Sequence, residues 1–150
     1  MDVRVQDTAF NLGEELNSFA VRQSDMGALV SFTGIVRDIA DGLEVMHIEH
    51  YPGMTDKAIT KIAQEALKRW SLGDVLVIHR HGALQADDII MMVATSAPHR
   101  VDAFEAAQFL MDYLKSRAPF WKKEISAAEA KWVASKGEDE EALTRWAKPD

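Results

Sequence analysis

The chain contains no cysteine, and this absence removes several classes of site at once. Disulfide bonds, cysteine nucleophiles, thiolate zinc sites and cysteine-ligated iron–sulfur clusters all require that side chain. No apolar run approaches the roughly 18 residues that a membrane span needs. The first seven residues lack the basic start and apolar core of a signal peptide. We therefore expect a cytoplasmic protein that does not contact a membrane.

Basic residues are also fewer than acidic residues. The chain carries 17 Lys and Arg against 24 Asp and Glu, a net charge of −7 with His neutral. Binding to nucleic acid needs a basic stripe that neutralises phosphates, so this balance argues against a nucleic-acid partner. A local basic pocket is still compatible with an acidic surface, and the positions of the Lys and Arg residues decide that question.

The apolar residues alternate between the helical and the strand period, which predicts an α+β or α/β fold in a single domain over residues 1–150. Helices are predicted near Phe10–Val21, from Thr55 to Gly73, and from Pro98 to before Pro119. Strands are predicted at Gly27–Arg37, Leu43–His50, Val75–His79, Ile89–Thr95, Phe120–Ile125 and Ala130–Val133.

Several local details of this pattern are specific enough to test. Thr55 is expected to cap the second helix, and Pro98 is expected in the first turn of the third. Asp41-Gly42 is a turn signal. In the charged tail from Gly137 onward a short helix is predicted around Glu140 to Trp146, with partial disorder of the tail as the alternative. The side of the third helix that is expected to be buried consists of Ala103, Phe104, Ala107, Leu110, Met111 and Leu114.

A His-Arg pair opens the longest predicted helix. Free backbone N–H groups and the helix dipole favour an anion at this position, and Arg100 can hold a phosphate with two parallel hydrogen bonds. Helix N-termini prefer acidic residues, so His99 and Arg100 either await an anionic partner or are simply exposed. The residues themselves give the two interpretations about equal weight.

Other cationic positions are weaker when each is taken alone. Arg37 leaves a strand, where a solvated charge is the commoner interpretation. Lys115 lies near a helix C-terminus, where the dipole alone favours a lysine. Strand alternation places Lys122 on one face with Phe120, and Lys123 on the other. Neighbouring positive charge and partial burial favour the neutral amine, which acts as a base or nucleophile, but a solvated charge run is the commoner interpretation.

Arg100 and Lys115 stand at opposite ends of this helix. Their backbones are separated by roughly 22 Å at about 1.5 Å per residue. They either serve opposite ends of one substrate or belong to different pockets, with a dimer bringing Arg100 of one copy to Lys115 of another. We favour the dimer as a hypothesis.

No metal site and no cofactor is expected. The histidines have no carboxylate cluster at a familiar metal-binding spacing, and glycine-rich phosphate or dinucleotide motifs are absent from the sequence. The segment His79-Arg80-His81 is expected to be a hydrogen-bonding strand end rather than a ligand. The five histidines are His47, His50, His79, His81 and His99.

Five segments between Gly27 and Val133 carry a more specific signal. In chain order they read SFTGIVR from Ser31, EHYPGM from Glu49, VIHRHG from Val77, SAPHR from Ser96 and MDYLKSRAPFWKKE from Met111. In content and order these segments resemble the large, catalytic subunit of the molybdopterin synthase family. The last segment is the most specific of the five.

The resemblance implies an α/β hammerhead fold with an additional antiparallel β subdomain. It implies a sulfurtransferase that converts cyclic pyranopterin monophosphate to molybdopterin. The sulfur would come from the thiocarboxylated C-terminus of a ubiquitin-like small subunit, and a dimer of large subunits would form the centre of a heterotetramer. The absence of cysteine agrees with a sulfur atom that another protein carries in.

The resemblance also implies roles for individual residues. Lys115 and Lys122 match the catalytic lysines of the family: Lys115 would attack or polarise the acyl carbon of the tail, and Lys122 would position the substrate and transfer protons. His99 and Arg100 would come from the neighbouring chain. The residues that match substrate contacts are Val36, Arg37, His99, Arg100, Lys123 and Glu124.

The sequence departs from the family at Ile35, where some relatives carry a basic residue, and Lys136 only weakly matches a basic position near the tail. Two other functions stay open. One is a non-catalytic adaptor that binds a ubiquitin-like tail and uses the lysines in salt bridges. The other is a phosphate-ester hydrolase that uses His99 and Arg100, although no nucleophile or metal set is evident for it.

Overall fold

The computed structural model describes residues 1–40, 42–134 and 137–147 of the chain. Its strands are β1 Asp2–Gln6, β2 Ala28–Ile35, β3 Leu43–His50, β4 Asp74–Arg80, β5 Gly82–Leu84, β6 Ile89–Ala97, β7 Phe120–Ser126 and β8 Ala130–Trp132. Its helices are α1 Leu12–Val21, α2 Met54–Arg69, α3 Arg100–Arg117 and α4 Gly137–Ala142, followed by a 3-10 helix at Leu143–Trp146.

The described strands form two four-stranded sheets. The first has the order β1-β4-β6-β2, in which β1 runs parallel to β4 and the other neighbours are antiparallel. The second has the order β5-β3-β7-β8 and is antiparallel throughout. The α+β class is confirmed, and the second sheet is the additional antiparallel subdomain that the resemblance implied.

Helices cover both faces of the first sheet. Val75 and Val77 of β4 share a buried cluster with α2 and α3, whereas Leu76 and Ile78 pack with Phe19 of α1. This alternation follows from the strand period of two. Because both faces are covered, β4 and β6 are almost continuous buried runs.

The predicted buried side of α3 is wrong at Phe104, which is 61% exposed. Phe109, which the spacing did not predict, is buried instead. Its ring meets the rings of Trp70 and Trp146 edge-on, at centroid distances of 5.1 and 5.6 Å. The C-terminal segment packs on this helix and decides which side is buried, and helical spacing alone carries no information about that segment.

Both predicted starts of the longer helices are wrong by one or two residues. Gly53, with φ of 83°, is the N-cap of α2, so Thr55 lies inside the first turn. Thr55 is buried, and its Oγ accepts a hydrogen bond from Tyr51 N at 3.1 Å and donates to Pro119 O at 3.4 Å. The hydroxyl thus ties α2 to the start of β7. His99 is the N-cap of α3, so Pro98 precedes that helix.

Two short strands, β1 and β5, were not predicted from the sequence. The predicted tail helix corresponds to α4 and the 3-10 helix, where Trp146 is buried. Asp41 of the predicted turn and Lys136 lie outside the described residues, while Gly42 has a φ of 76°. Among the helices of the described ranges, none combines the length and apolar character that a membrane crossing requires.

Candidate active site

A cleft of about 610 Å³ lies where the two sheets, the C-terminal half of α3 and the C-terminal segment meet. Backbone and side chains from the end of β2 form one wall, and β7 forms another. The polar and charged residues that line it are Thr33, Arg37, Asp38, His79, Lys115, Lys122, Glu124 and Asp139.

The cleft brings five of the predicted site residues together: Val36, Arg37, Lys115, Lys122 and Glu124. Lys115 comes from the last turn of α3, and Lys122 and Glu124 come from one face of β7. Lys115 and Lys122 are only seven positions apart in the sequence, yet a helix end and a strand present them to one space. The sequence pattern did not show this convergence; only the resemblance implied it.

The backbone of Val36 fixes the direction in which Arg37 leaves β2. Val36 is buried, its N–H donates to Asp88 O at 2.9 Å, and its C=O accepts from Asp87 N at 2.8 Å. Because both of its backbone groups are already hydrogen-bonded, Val36 contributes its apolar side chain to the wall of the cleft. Arg37, the next residue, is exposed and lines the same cleft.

The remaining predicted residues lie elsewhere in this copy of the chain. Lys123 is on the opposite face of β7, with its Nζ 5.4 Å from the centre of the Trp132 ring. His99 and Arg100 are exposed at the start of α3 and do not line the cleft. Along α3 they stand about 22 Å from Lys115 at about 1.5 Å per residue.

Charges of both signs line the cleft. Arg37, Lys115 and Lys122 are balanced by the carboxylates of Asp38, Glu124 and Asp139. Asp38 accepts hydrogen bonds from the backbone N–H groups of Leu43 at 2.7 Å and Ile39 at 2.9 Å, which lower the pKa of its carboxyl. Asp38 therefore stays ionised near neutral pH and holds the turn that follows Arg37.

His79 lines the cleft as well, which the sequence did not predict. It is 6% exposed, and its ring lies flat on Phe120 with centroids 3.8 Å apart. Its Nδ1 is 2.7 Å from Arg80 O, so the predicted hydrogen bond at the strand end is confirmed. Burial lowers the pKa of His79 to about 3, the hydrogen bond to Arg80 opposes this shift, and the charge of Lys122 adds to it. One signal was available, because His79 is the polar residue in the buried stretch from Val75 to His79 of β4.

A second depression, of about 500 Å³, lies between α2, α3 and the 3-10 helix. Its Arg69 donates a hydrogen bond to Trp146 O at 2.8 Å and lies 5.1 Å from the Trp70 ring centre. These contacts hold the C-terminal segment in place, and the depression contains none of the predicted site residues.

The cleft suits an anionic ligand beside two primary amines. Arg37 can donate to a phosphate, and Lys115 and Lys122 can donate protons or attack a carbonyl carbon. Within the described ranges, no group of three or more His, Asp or Glu side chains is placed to hold a metal ion. The described arrangement therefore offers two amines and a guanidinium beside three carboxylates.

Comparison with known proteins gives one consistent picture. The model of the family described as MoaE protein matches residues 5–117. The molybdopterin synthase catalytic subunit of Cereibacter sphaeroides is 60% identical over 146 residues, which cover 97% of this chain and 100% of that protein. Among solved structures, the molybdopterin biosynthesis MoaE protein from Burkholderia ambifaria has a TM-score of 0.82 at 47% identity and covers 97% of this chain and 98% of its own.

A more distant structure, the molybdopterin synthase from Staphylococcus aureus, agrees at 32% identity. Its TM-score is 0.79, and the match covers 87% of this chain and 95% of that one. The family model covers residues 5–117, and these relatives and solved structures match between 87% and 97% of the chain. The chain belongs to the MoaE protein family.

Proposed function

We propose that the chain is the catalytic subunit of a molybdopterin synthase, and that its cleft transfers sulfur to cyclic pyranopterin monophosphate. The sulfur donor is the thiocarboxylated C-terminus of a ubiquitin-like small subunit. The observation that carries the proposal is the convergence of Lys115, Lys122 and Arg37 on one cleft. The full-length similarity to a protein named molybdopterin synthase catalytic subunit supports the same reaction.

The two amines divide the work at the reacting carbon. The thiocarboxylate sulfur attacks a carbon of the pterin side chain and displaces an oxygen substituent of that carbon, which joins tail and pterin as a thioester. Lys115 then polarises the acyl carbon for attack by water, or attacks it first and is released by water; the C–S bond breaks, its electron pair stays with the sulfur on the pterin, and the tail leaves as a carboxylate. Lys122, which projects from the facing strand, holds the substrate and transfers the accompanying proton.

Two anions must be held beside these amines: the phosphate of the substrate and the carboxylate that remains on the tail. Arg37 supplies a planar pair of donors for the phosphate. His99 and Arg100 are too far from the cleft of their own copy, so a second copy of the chain supplies them. In this proposal each cleft of a dimer takes its amines from one copy and its helix N-terminus from the other.

Reconstitution tests the reaction directly. The wild-type chain is mixed with thiocarboxylated small subunit and cyclic pyranopterin monophosphate, and formation of the dithiolene product is followed. We expect Lys115→Ala and Lys122→Ala each to lower the rate at least about 100-fold, because a positioned acid, base or nucleophile contributes that much or more. Lys61→Ala is the matched control, since Lys61 is an exposed lysine of α2 outside the cleft.

Two outcomes would overturn the proposal. If the wild-type chain binds the small subunit but yields no product, the chain is an adaptor for a ubiquitin-like tail. If Lys115→Ala and Lys122→Ala both retain the rate of Lys61→Ala, the cleft amines do not carry the chemistry.

A further inference from the structure

The imidazole of His79 is a buried polar group in the cleft that the proposed sulfur transfer does not use. It projects from β4 of the first sheet and stacks on Phe120 of the second, at an interplanar angle of 17°. The stack therefore joins the two sheets at the cleft. Phe120 and Lys122 share one face of β7, so the His79 ring lies beside one of the proposed catalytic amines.

The proton on His79 can be placed from its backbone contact. Nδ1 is 2.7 Å from Arg80 O, and a carbonyl oxygen only accepts hydrogen bonds. Nδ1 therefore carries the proton, and Nε2 carries a lone pair. Nδ1 is engaged with the backbone and one ring face is covered by Phe120, so Nε2 is the polar atom that His79 offers to the cleft.

The surroundings keep this ring neutral. His79 is 6% exposed, and the titratable groups that face it, Lys122, His50 and His81, can add only positive charge. A neutral ring that accepts through Nε2 does not bind phosphate, which is itself an acceptor. Its low basicity also makes it a poor proton acceptor near neutral pH. A fixed, neutral acceptor on an apolar floor suits a different partner, the N–H group of a flat heterocycle.

We propose that His79 is a specificity-determining residue of the cleft: its Nε2 accepts a hydrogen bond from a ring N–H of the substrate, while Phe120 holds the imidazole in place. The inference rests on the proposed function, because the heterocycle is the pterin of that reaction. Pterins carry N–H donors on a planar ring. Among the acceptors that line the cleft, His79 is the one stacked on an aromatic ring, whereas Asp38, Glu124 and Asp139 are carboxylates. His79 thus recognises the pterin ring through a hydrogen bond, while Arg37 binds the phosphate.

Substitutions separate this role from packing. His79→Phe keeps an aromatic ring against Phe120 but removes the acceptor, and His79→Gln places an amide oxygen near the position of Nε2. We expect His79→Phe to raise KM for the pterin about tenfold, as a lost hydrogen bond does when its partner stays buried, with a smaller change in kcat. His79→Gln should recover part of the loss. His47→Phe, at an exposed histidine of β3, should leave KM unchanged.

Nitrogen NMR of the complete protein gives a readout that packing alone would not move. In the free protein we expect the His79 Nδ1 signal of a protonated nitrogen and the Nε2 signal of an unprotonated one, and added pterin monophosphate should shift Nε2 towards the hydrogen-bonded range. The inference is overturned if the Arg37 signals respond to the pterin while Nε2 does not, or if His79→Phe keeps the wild-type KM. If neither the His79 nor the Arg37 signals respond to saturating pterin, the proposed function fails together with this inference.

Discussion

At the scale of single residues, Arg37 acquires its place from the backbone before it. The buried Val36 uses both of its backbone groups in hydrogen bonds to Asp87 and Asp88, so the chain leaves β2 in one direction. The Asp38 carboxylate then holds the following turn by accepting from the backbone N–H groups of Ile39 and Leu43. Because both neighbours of Arg37 are fixed, the backbone of Arg37 is already ordered before a ligand binds. This lowers the entropic cost of holding a phosphate.

Removing this guanidinium should weaken the hold on the substrate phosphate. A hydrogen bond to a charged group contributes about 1.5–3 kcal/mol, so we expect Arg37→Ala to lower kcat/KM for the pterin about 10- to 150-fold. Arg22→Ala, at the C-cap of α1, is the control, because Arg22 is exposed and lies outside the cleft. Steady-state kinetics measures the difference, and an equal effect of the two substitutions would remove Arg37 from the site.

His79 should also make the stability of the protein depend on pH. Its pKa falls from 6.5 to about 3 in the folded chain, so the unfolded chain binds more protons between these values. The free energy of unfolding therefore decreases as the pH falls below about 6.5, and at about pH 5 this contribution has lost about 2 kcal/mol. Urea unfolding at several pH values should show a shallower decline for His79→Phe than for wild type. Parallel declines would mean that His79 ionises normally in the folded protein.

At the scale of elements, the C-terminal segment clamps the helix that carries Lys115. The Trp146 Nε1–H donates to Asp112 Oδ2 at 2.6 Å, and Ser116 Oγ donates to Asp139 O at 2.9 Å. The Trp146 ring also meets the rings of Trp70 and Phe109 at 5.5 and 5.6 Å. Because Asp139 lines the cleft, the clamp supplies part of the wall next to Lys115.

Loss of the buried indole should loosen this clamp. We expect Trp146→Ala to cost about 3 kcal/mol of stability, at the lower end for a buried aromatic residue cut to alanine. Hydrogen exchange should increase in residues 137–147 and in the last turns of α3. The control is Trp132→Ala, since the Trp132 ring is 53% exposed, and its effect should be below about 1 kcal/mol. Similar losses for both tryptophans would show that the segment does not anchor the helix.

Most helices and strands could be predicted from the sequence because the spacing of their apolar residues matches the side that the structure buries. β3 was placed from Leu43 to His50 by its alternation alone, and α2 by its apolar stripe. β1 was missed because it is only five residues long and half-buried, and its partner β4 is about 70 residues away. Phe109 was missed because the residues that bury it come from α2 and from the C-terminal segment.

The site was harder to predict than the fold. Lys115 and Lys122 each look like ordinary surface lysines in the sequence, since a helix C-terminus and a polar strand both favour them. Their convergence depends on how β7 pairs with β3 and how α3 packs on the first sheet, which are long-range contacts. The role proposed for His79 depends on its stack with Phe120, a contact between two sheets that local sequence does not predict.

At the scale of the whole molecule, the proposed site needs two copies of the chain. One copy brings its amines and Arg37 to a cleft, and its own His99 and Arg100 stand at the far end of α3. A two-fold symmetric dimer would complete two clefts in the same way, because each copy gives and receives the same residues. The acidic chain, with a net charge of −7, would then concentrate its cationic donors at two places.

Mixing two inactive variants tests whether each cleft is shared between two copies of the chain. In a dimer of Lys115→Ala with Arg100→Ala, one cleft carries both substitutions and the other carries neither. Random exchange makes about half of the dimers mixed, and each has one intact cleft, so we expect about a quarter of wild-type activity from two nearly inactive parents. Dithiolene formation after equal mixing and subunit exchange measures this. Activity that stays at the level of the separate parents, although exchange into mixed dimers is verified by mass, would contradict the shared site.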